Sequence, residues 1–439
     1  MAEDSEVVRI LRDLIRFDTS NPPGNERPAV DYIAALFEKE GIPFTVIEPA
    51  PGRANIVARL KGEGLKHPLL LSAHLDVVPA LESGWEHPPF SGDLKDGFIW
   101  GRGAVDMKHM AAMSLVTMLE LKRQGARLER DVIFAGVADE ECGGRFGAGY
   151  LVDHHENLIA SEFCLTELGG MAVPMGRGMI VPVQTAEKGH VWFKLKTRGD
   201  AGHGSMPKPG SAVARLALAV DRLSTRRLGY RMSDATRAFF SAVAQSQWPP
   251  LSLVVRGLFK PSTAPLALSL MPEERRGTFG AMLYNTVSVT SLSAGGKVNV
   301  VPETAEALVD GRYLPGVSQQ QFLDEVRALA GKGVEIEVLD GGSPIEMPMH
   351  SALMESISRV MERRLPGARV VPYMIPGMTD AKHYARARIT TYGFAPAVLK
   401  AGEPFAALYH APNERLSVAA LEAGSSCLYD VVADFCALP

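Results

Sequence analysis

In the N-terminal part of the chain the apolar positions switch between two periods. Residues 7–17 and 28–40 repeat at helical spacing, separated by the turn formers of 18–26. Residues 44–47 and 55–60 read as strands, and Leu69-Leu70-Leu71-Ser72-Ala73-His74 begins as the continuous apolar run expected of a parallel strand buried on both faces. After a Pro- and Gly-rich loop at 84–92 comes Gly101-Arg102-Gly103-Ala104-Val105-Asp106, where two glycines permit a tight backbone before a helix rich in alanine, leucine and methionine. A buried run at 131–138 ends in Asp139-Glu140-Glu141, and a further strand ends at Thr166-Glu167. Alternating strands and helices with chemistry-capable residues at successive strand ends predict an α/β domain. Its sheet is doubly wound and mostly parallel, with one site along the carboxyl edge.

Near Gln184 the pattern changes. Residues 191–197, 286–290, 305–309 and 334–338 alternate apolar and polar, as half-exposed strands do, and helices are expected at 212–223 and 320–329. The order βαββαβ predicts a ferredoxin-like α+β unit inserted into the first domain. The expected division is 1–184 and 341–439 for the first domain and 185–340 for the insert. The segment 226–282, which contains a mostly apolar run at 264–271, is read as an embellishment of that insert. Beyond 341 the α/β pattern returns, with helices at 353–364 and 418–435 and a strand near Thr391.

A length of 439 residues agrees with two or three domains, and 46% hydrophobic with 22% charged residues is ordinary for a soluble protein. A net charge of −4 predicts neither nucleic-acid binding nor attachment to an anionic membrane. Four scattered cysteines with no C-x-x-C spacing argue against a disulfide framework and a thiolate metal site. The acidic start, Met1 to Glu6, is no signal peptide, and no run is long enough to span a membrane, so the expected location is cytoplasmic.

Six acids and histidines collected at predicted strand ends then stand out: His74, Asp106, Glu140, Glu141, Glu167 and His410. Two imidazoles with several carboxylates suit zinc, cobalt or manganese better than calcium. A carboxylate between two cations makes a two-metal site, in which a bridging water becomes hydroxide near neutral pH. Of the adjacent glutamates, one can face the metals while the other moves the proton. Asp76, two residues beyond His74 on the same strand face, can orient its ring.

These stretches, together with Gly202-His203-Gly204-Ser205 and His410-Ala411-Pro412-Asn413-Glu414, resemble the zinc-dependent exopeptidases and deacylases. That family includes aminoacylase-1, carboxypeptidase G, acetylornithine deacetylase and succinyl-diaminopimelate desuccinylase. The resemblance runs in order over nearly the whole chain. It implies two zinc ions per subunit, with cobalt or manganese able to substitute. Asp106 would bridge them, His74 and Glu167 would complete one shell, and Glu141 and His410 the other. Many members carry aspartate at the position of Glu167. Glu140 would be the general base, and Asp76 the partner that orients His74. The insert would be a lid and homodimerisation module, with His203 polarising the scissile carbonyl in the neighbouring subunit. Asn299 matches a substrate-contacting lid asparagine, and Gly377 and Thr379 match a loop that receives the substrate carboxylate.

The activity so implied is hydrolysis of N-acyl amino acids or small peptides beside a free carboxylate. The alternatives are a dipeptidase or glutamate-releasing carboxypeptidase, and a metal-stabilised binding or assembly protein. Apolar character in 226–282 favours a bulky or apolar acyl group. Arg312 is read first as an ion pair and second as a substrate-carboxylate ligand. Cys142 is read as a small buried residue. Seven other histidines, 87, 109, 154, 155, 190, 350 and 383, are read as fillers, with His383 on the substrate loop.

Overall fold

The computed structural model describes residues 4–206, 209–400 and 405–438. Met1 to Glu3, Pro207 and Gly402-Glu403-Pro404 lie outside the described residues.

The centre of the fold is a parallel trio, Leu69–His74 between Val132–Val137 and Phe163–Thr166. Every residue of these strands is buried, because helices cover both faces, and this is why the sequence shows unbroken apolar runs rather than alternation. Thr390–Gly393 extends the parallel order on one flank, while Arg53–Leu60 and Phe44–Ala50 add antiparallel strands on the other. Among the described residues this sheet has 11 strands and is mixed, parallel in the centre and largely antiparallel outside it. The helix Lys108–Arg123 is buried almost all round, packed between this sheet and the terminal helices Glu6–Arg16 and Val418–Cys436. Three neighbouring parallel strands therefore deliver His74, Asp139-Glu140-Glu141 and Glu167 to one edge.

A second, antiparallel sheet of four strands has the order Thr286–Ala294, Thr304–Tyr313, Gly189–Arg198, Val334–Gly342. Helices Ala212–Thr225 and Gln319–Ala330 cover one face, where Phe193, Leu195, Val309 and Phe322 form a core. The opposite face carries Lys194 and Lys196 against Glu306 and Glu337, which accounts for the alternation in sequence. This order and chain path are ferredoxin-like.

Two features depart from expectation. Met171–Met175, Gly178–Glu187 and Ala368–Ile375 are strands that the sequence does not announce. Each contains a proline, Pro174, Pro182 and Pro372, a residue that argues against a strand interior because it lacks an N–H to donate. The segment 226–282 also packs differently from its reading as an embellishment of the insert. Its helices place Phe239, Phe240, Val243, Leu268 and Met282 in one cluster with Ile180, Val371 and Met374 of the large sheet.

Lys188 sits where the chain crosses from Gly178–Glu187 of one sheet to Gly189–Arg198 of the other. It is 1% exposed, and its Nζ donates to the Tyr284 carbonyl (2.8 Å) and the Thr286 hydroxyl (3.0 Å). Burial pushes its pKa down from 10.5 to about 7. Between these values the unfolded chain holds a proton that the folded chain lacks, so this residue makes stability rise with pH across the window. Lys188→Met should flatten that rise in denaturant unfolding followed from neutral to alkaline pH. An unchanged pH profile would show that the buried amine stays charged.

Candidate active site

The site begins where the central strand stops. His74 is buried, and its Nδ1 donates to the backbone carbonyl of Asp76 at 3.0 Å, with an Asp76 carboxylate oxygen at 3.5 Å. This leaves Nε2 facing the other donors. The Asp76 carboxylate mainly accepts from the backbone amides of Glu140 (3.1 Å) and Glu141 (3.2 Å) and from Asn21 (2.8 Å), tying the ends of neighbouring strands together. Asp139, in the left-handed region at φ 72°, turns the chain so that Glu140 and Glu141 enter the cleft. Its carboxylate is held by Arg53 (2.9 Å), Asn21 (3.1 Å) and the Phe146 amide (3.0 Å). Arg53 in turn forms two 2.9 Å hydrogen bonds to the buried Glu26.

A second brace holds the other side. Glu414, fully buried, accepts from the backbone amides of Gly103 (3.1 Å), Val105 (2.7 Å) and Asp106 (3.0 Å) and from Arg102 (2.8 Å). Arg102 also donates to the carbonyls of His410 (3.3 Å) and Ala411 (3.1 Å). One buried ion pair thereby joins the Asp106 turn to the His410 loop. Asn21, Glu26, Arg53 and this use of Glu414 and Arg102 were not read from the sequence.

The donors converge on Asp106. His74 Nε2 lies 3.2 Å from Asp106 Oδ1 and 3.9 Å from Glu167 Oε2, whereas His410 Nε2 lies 3.1 Å from Asp106 Oδ2 and 3.3 Å from Glu141 Oε2. Two groups result, His74/Asp106/Glu167 and Asp106/Glu141/His410, each with ligand atoms within 4.8 Å of one another. All five residues expected as ligands are thus brought together, and Asp106 belongs to both groups. Glu140 lines the adjoining cleft.

The electrostatics match this crowding. Burial raises Glu140 and Glu167 well above the usual carboxylate range, with the neighbouring carboxylates adding to the effect, and also raises Glu141. Burial would lower His74, but hydrogen bonds to Asp106 and Asp76 raise it well above its ordinary value. Hydrogen bonds to Asp106 and Glu141 raise His410 to about 10. Burial opposes ionisation of Asp106, yet hydrogen bonds from His410 and His74 hold its pKa below the ordinary value. Glu141 Oε1 is buried with no hydrogen-bond partner. Packed carboxylates, two imidazoles and an orphaned oxygen are a donor set that divalent cations satisfy.

The cleft over these donors has a volume of about 330 Å³ and is walled by Trp192, Arg312, Gly377, Met378 and Tyr409. A neighbouring cavity of about 480 Å³ shares Cys142, Gly143, Trp192 and Met378 with it. Arg312 forms the ion pair read first, with Asp310, through two hydrogen bonds (2.8 and 3.0 Å), and it lines the cleft. Gly377 lines the cleft, but Thr379 does not. It is fully buried, and its hydroxyl (2.5 Å) and amide (3.1 Å) both donate to Glu187, which removes them from substrate recognition. Cys142 is exposed at the rim rather than buried, with its thiol pKa raised by partial burial and by Asp139 and Asp76. His383 donates to the Gly143 carbonyl (2.9 Å), bracing the turn after Glu141. His203 lies on a small ladder, Gly202–His203 against Val300–Val301, and Asn299 in the turn before it, its carbonyl accepting from the Gly204 amide (2.8 Å); both residues are exposed and neither lines the cleft.

A buried cluster of candidate metal donors at the carboxyl edge of an α/β sheet, opening into a cleft, is a site of the kind that metal-dependent hydrolases use. The chain belongs to peptidase family M20/M25/M40, whose profile matches residues 70–434. It is 32% identical to an N-fatty-acyl-amino acid synthase/hydrolase PM20D1 of Xenopus tropicalis, over 96% of this chain and 84% of that protein. It is 26% identical to aminoacylase-1A of Rattus norvegicus, over 98% and 96%. Among solved structures, the fold matches the M20 family metallo-carboxypeptidase Sso-CP2 of Sulfolobus solfataricus with a TM-score of 0.72 at 17% identity, covering 98% of this chain and 99% of that one. Human carnosine dipeptidase 1 gives 0.69 at 13% identity, covering 98% and 96%. No helix among the described residues is long and apolar enough to cross a membrane.

Glu26→Ala would leave Arg53 buried without its main partner, at a cost of about 3–5 kcal/mol. Because Arg53 holds Asp139, metal affinity should also fall by about 10- to 100-fold. Denaturant unfolding and metal titration of the variant check both effects. Unchanged affinity would show that the Arg53 brace does not position the donors.

Proposed function

We propose that the chain hydrolyses the amide bond of N-acyl amino acids beside their free carboxylate, with a preference for apolar acyl groups. The observation that carries this reading is Asp106 shared between two donor groups, at the floor of a cleft that Arg312 lines and that opens into a second cavity. His74, Asp106 and Glu167 would hold one divalent cation, and Asp106, Glu141 and His410 another, with zinc the metal suggested by the mixed nitrogen and oxygen donors. Cations bound there supply Lewis-acid polarisation and lower the pKa of water toward neutrality. Glu140, raised by burial, is suited to take a proton from the attacking water and deliver it to the leaving nitrogen. Arg312 receives the substrate carboxylate, with Gly377 beside it. The acyl group occupies the second cavity, past Trp192 and Met378. That cavity adds Ile345 and Ala385 together with the charged Asp340, Lys382 and Arg386, and its two imidazoles, His190 and His383, are both shifted by burial toward the neutral form.

The four-stranded unit acts as lid and dimerisation module in this reading. Support comes from the free edge of Thr286–Ala294, where Leu292 is exposed, and from exposed Val213 and Leu218 on the adjoining helix. The exposure of His203 outside its own cleft accords with service in a partner's site, where it would stabilise the developing oxyanion.

Amine release from a panel of N-acyl amino acids and dipeptides, with zinc, cobalt or manganese supplied, tests the proposal. Long or aromatic acyl chains should exceed acetyl, and Glu140→Gln should lower kcat by about 10²- to 10⁴-fold with metal binding retained. Trp192→Ala should raise KM for long acyl chains more than for acetyl. Best turnover of short polar substrates such as acetylornithine, or none with metals bound, would overturn the substrate assignment. Best turnover of dipeptides would identify a dipeptidase.

A further inference from the structure

The segment 226–282 has a charge balance unlike the rest of the chain. It carries eight basic residues (Arg226, Arg227, Arg231, Arg237, Arg256, Lys260, Arg275 and Arg276) against three acidic ones, Asp234, Glu273 and Glu274. Its local charge is therefore +5 in a chain of −4. Among the described residues, none of the eight is within ion-pair distance of a carboxylate, whereas many basic side chains elsewhere are paired. Whole-chain charge, which argues against an anionic surface as partner, hides this asymmetry.

The same segment exposes large apolar side chains. Its helices Asp234–Ser246, Leu251–Gly257 and Ala264–Ser269 bury one side against the large sheet and each other through Phe240, Val255, Ala267 and Leu268. On the outer side Trp248 is 63% exposed, Leu253 65%, Leu266 66% and Leu270 63%. Leu266 and Leu270 are four apart and share a helical face. The apolar and basic groups are interleaved. Arg177 stacks over the Trp248 ring at 4.3 Å, Leu251 and Arg275 line one small recess, and Arg226, Arg227 and Arg276 line a groove with Leu268.

No residue of 226–282 lines either cavity at the catalytic cluster, so these side chains do not wait for substrate. A second copy of the same face is disfavoured, since two surfaces of +5 repel. Protruding leucines and a tryptophan set among unpaired arginines instead match the requirements of an interfacial anchor, in which apolar side chains enter the headgroup boundary while cations meet anionic lipid. We propose that this face docks the protein on an anionic lipid bilayer.

Flotation of the purified full chain with vesicles tests this without needing turnover, so its outcome is independent of the substrate assignment. Binding is expected to vesicles of equimolar phosphatidylcholine and phosphatidylglycerol, and little to phosphatidylcholine alone. R275E/R276E should weaken binding by at least about fivefold per arginine, and added salt should weaken it in the wild type. L266S/L270S should lose binding with net charge unchanged. Both variants replace exposed side chains and should keep the wild-type thermal midpoint and metal content. K39E/K122E, which changes charge equally at exposed lysines elsewhere, should bind as wild type. Failure to float with anionic vesicles, or an equal loss in K39E/K122E, would overturn the proposal. So would a fall in oligomer mass in L266S/L270S, which would make a second copy the occupant.

Discussion

Asp106 has two carboxylate oxygens, and each faces a different imidazole, 3.2 Å from His74 and 3.1 Å from His410. A single short side chain must therefore sit between two donor groups supplied by widely separated parts of the sequence. Buried carboxylates repel one another and resist ionisation, so this arrangement is costly for the bare protein. The surrounding structure reads as the means of holding it. Three parallel strands end at one edge and present His74, Glu140 with Glu141, and Glu167, while the helix that follows Asp106 is clamped by both terminal helices.

Two buried arginines and their carboxylate partners complete that work. Arg53 with Glu26 and Asp139 sets the turn that carries the glutamates, and Arg102 with Glu414 fixes the Asp106 turn to the His410 loop. Buried pairs of this kind contribute little net stability relative to apolar packing, because each ion loses its hydration. Their value lies in geometry, as donors in the correct place need not reorganise when a cation arrives. The same economy explains why Thr379 is spent on Glu187: it anchors the loop so that Gly377 and Met378 can wall the cleft.

Much of this was legible in the sequence where local pattern decides structure. Unbroken apolar runs marked the central strands, and polar residues at their ends marked the ligand cluster, since a parallel strand has no polar side until it leaves the sheet. What escaped detection depends on distant partners. Asn21, Glu26 and Arg53 are ordinary residues until the fold sets them against Asp76 and Asp139, more than fifty residues from Asn21. Proline masked three strands, and the apolar residues of 226–282 could not reveal which sheet they would cover. Nor could a one-sided excess of arginine be recognised as a surface before the buried and exposed sides of its helices were known.

The most direct test of the account is the number of metal ions held and their dependence on Asp106. Metal analysis after dialysis against zinc or manganese, with anomalous scattering to place the ions, should find two per chain, both beside Asp106. Asp106→Asn should weaken both. A single ion per chain, or two ions undisturbed by Asp106→Asn, would contradict the shared carboxylate on which the rest of the account depends.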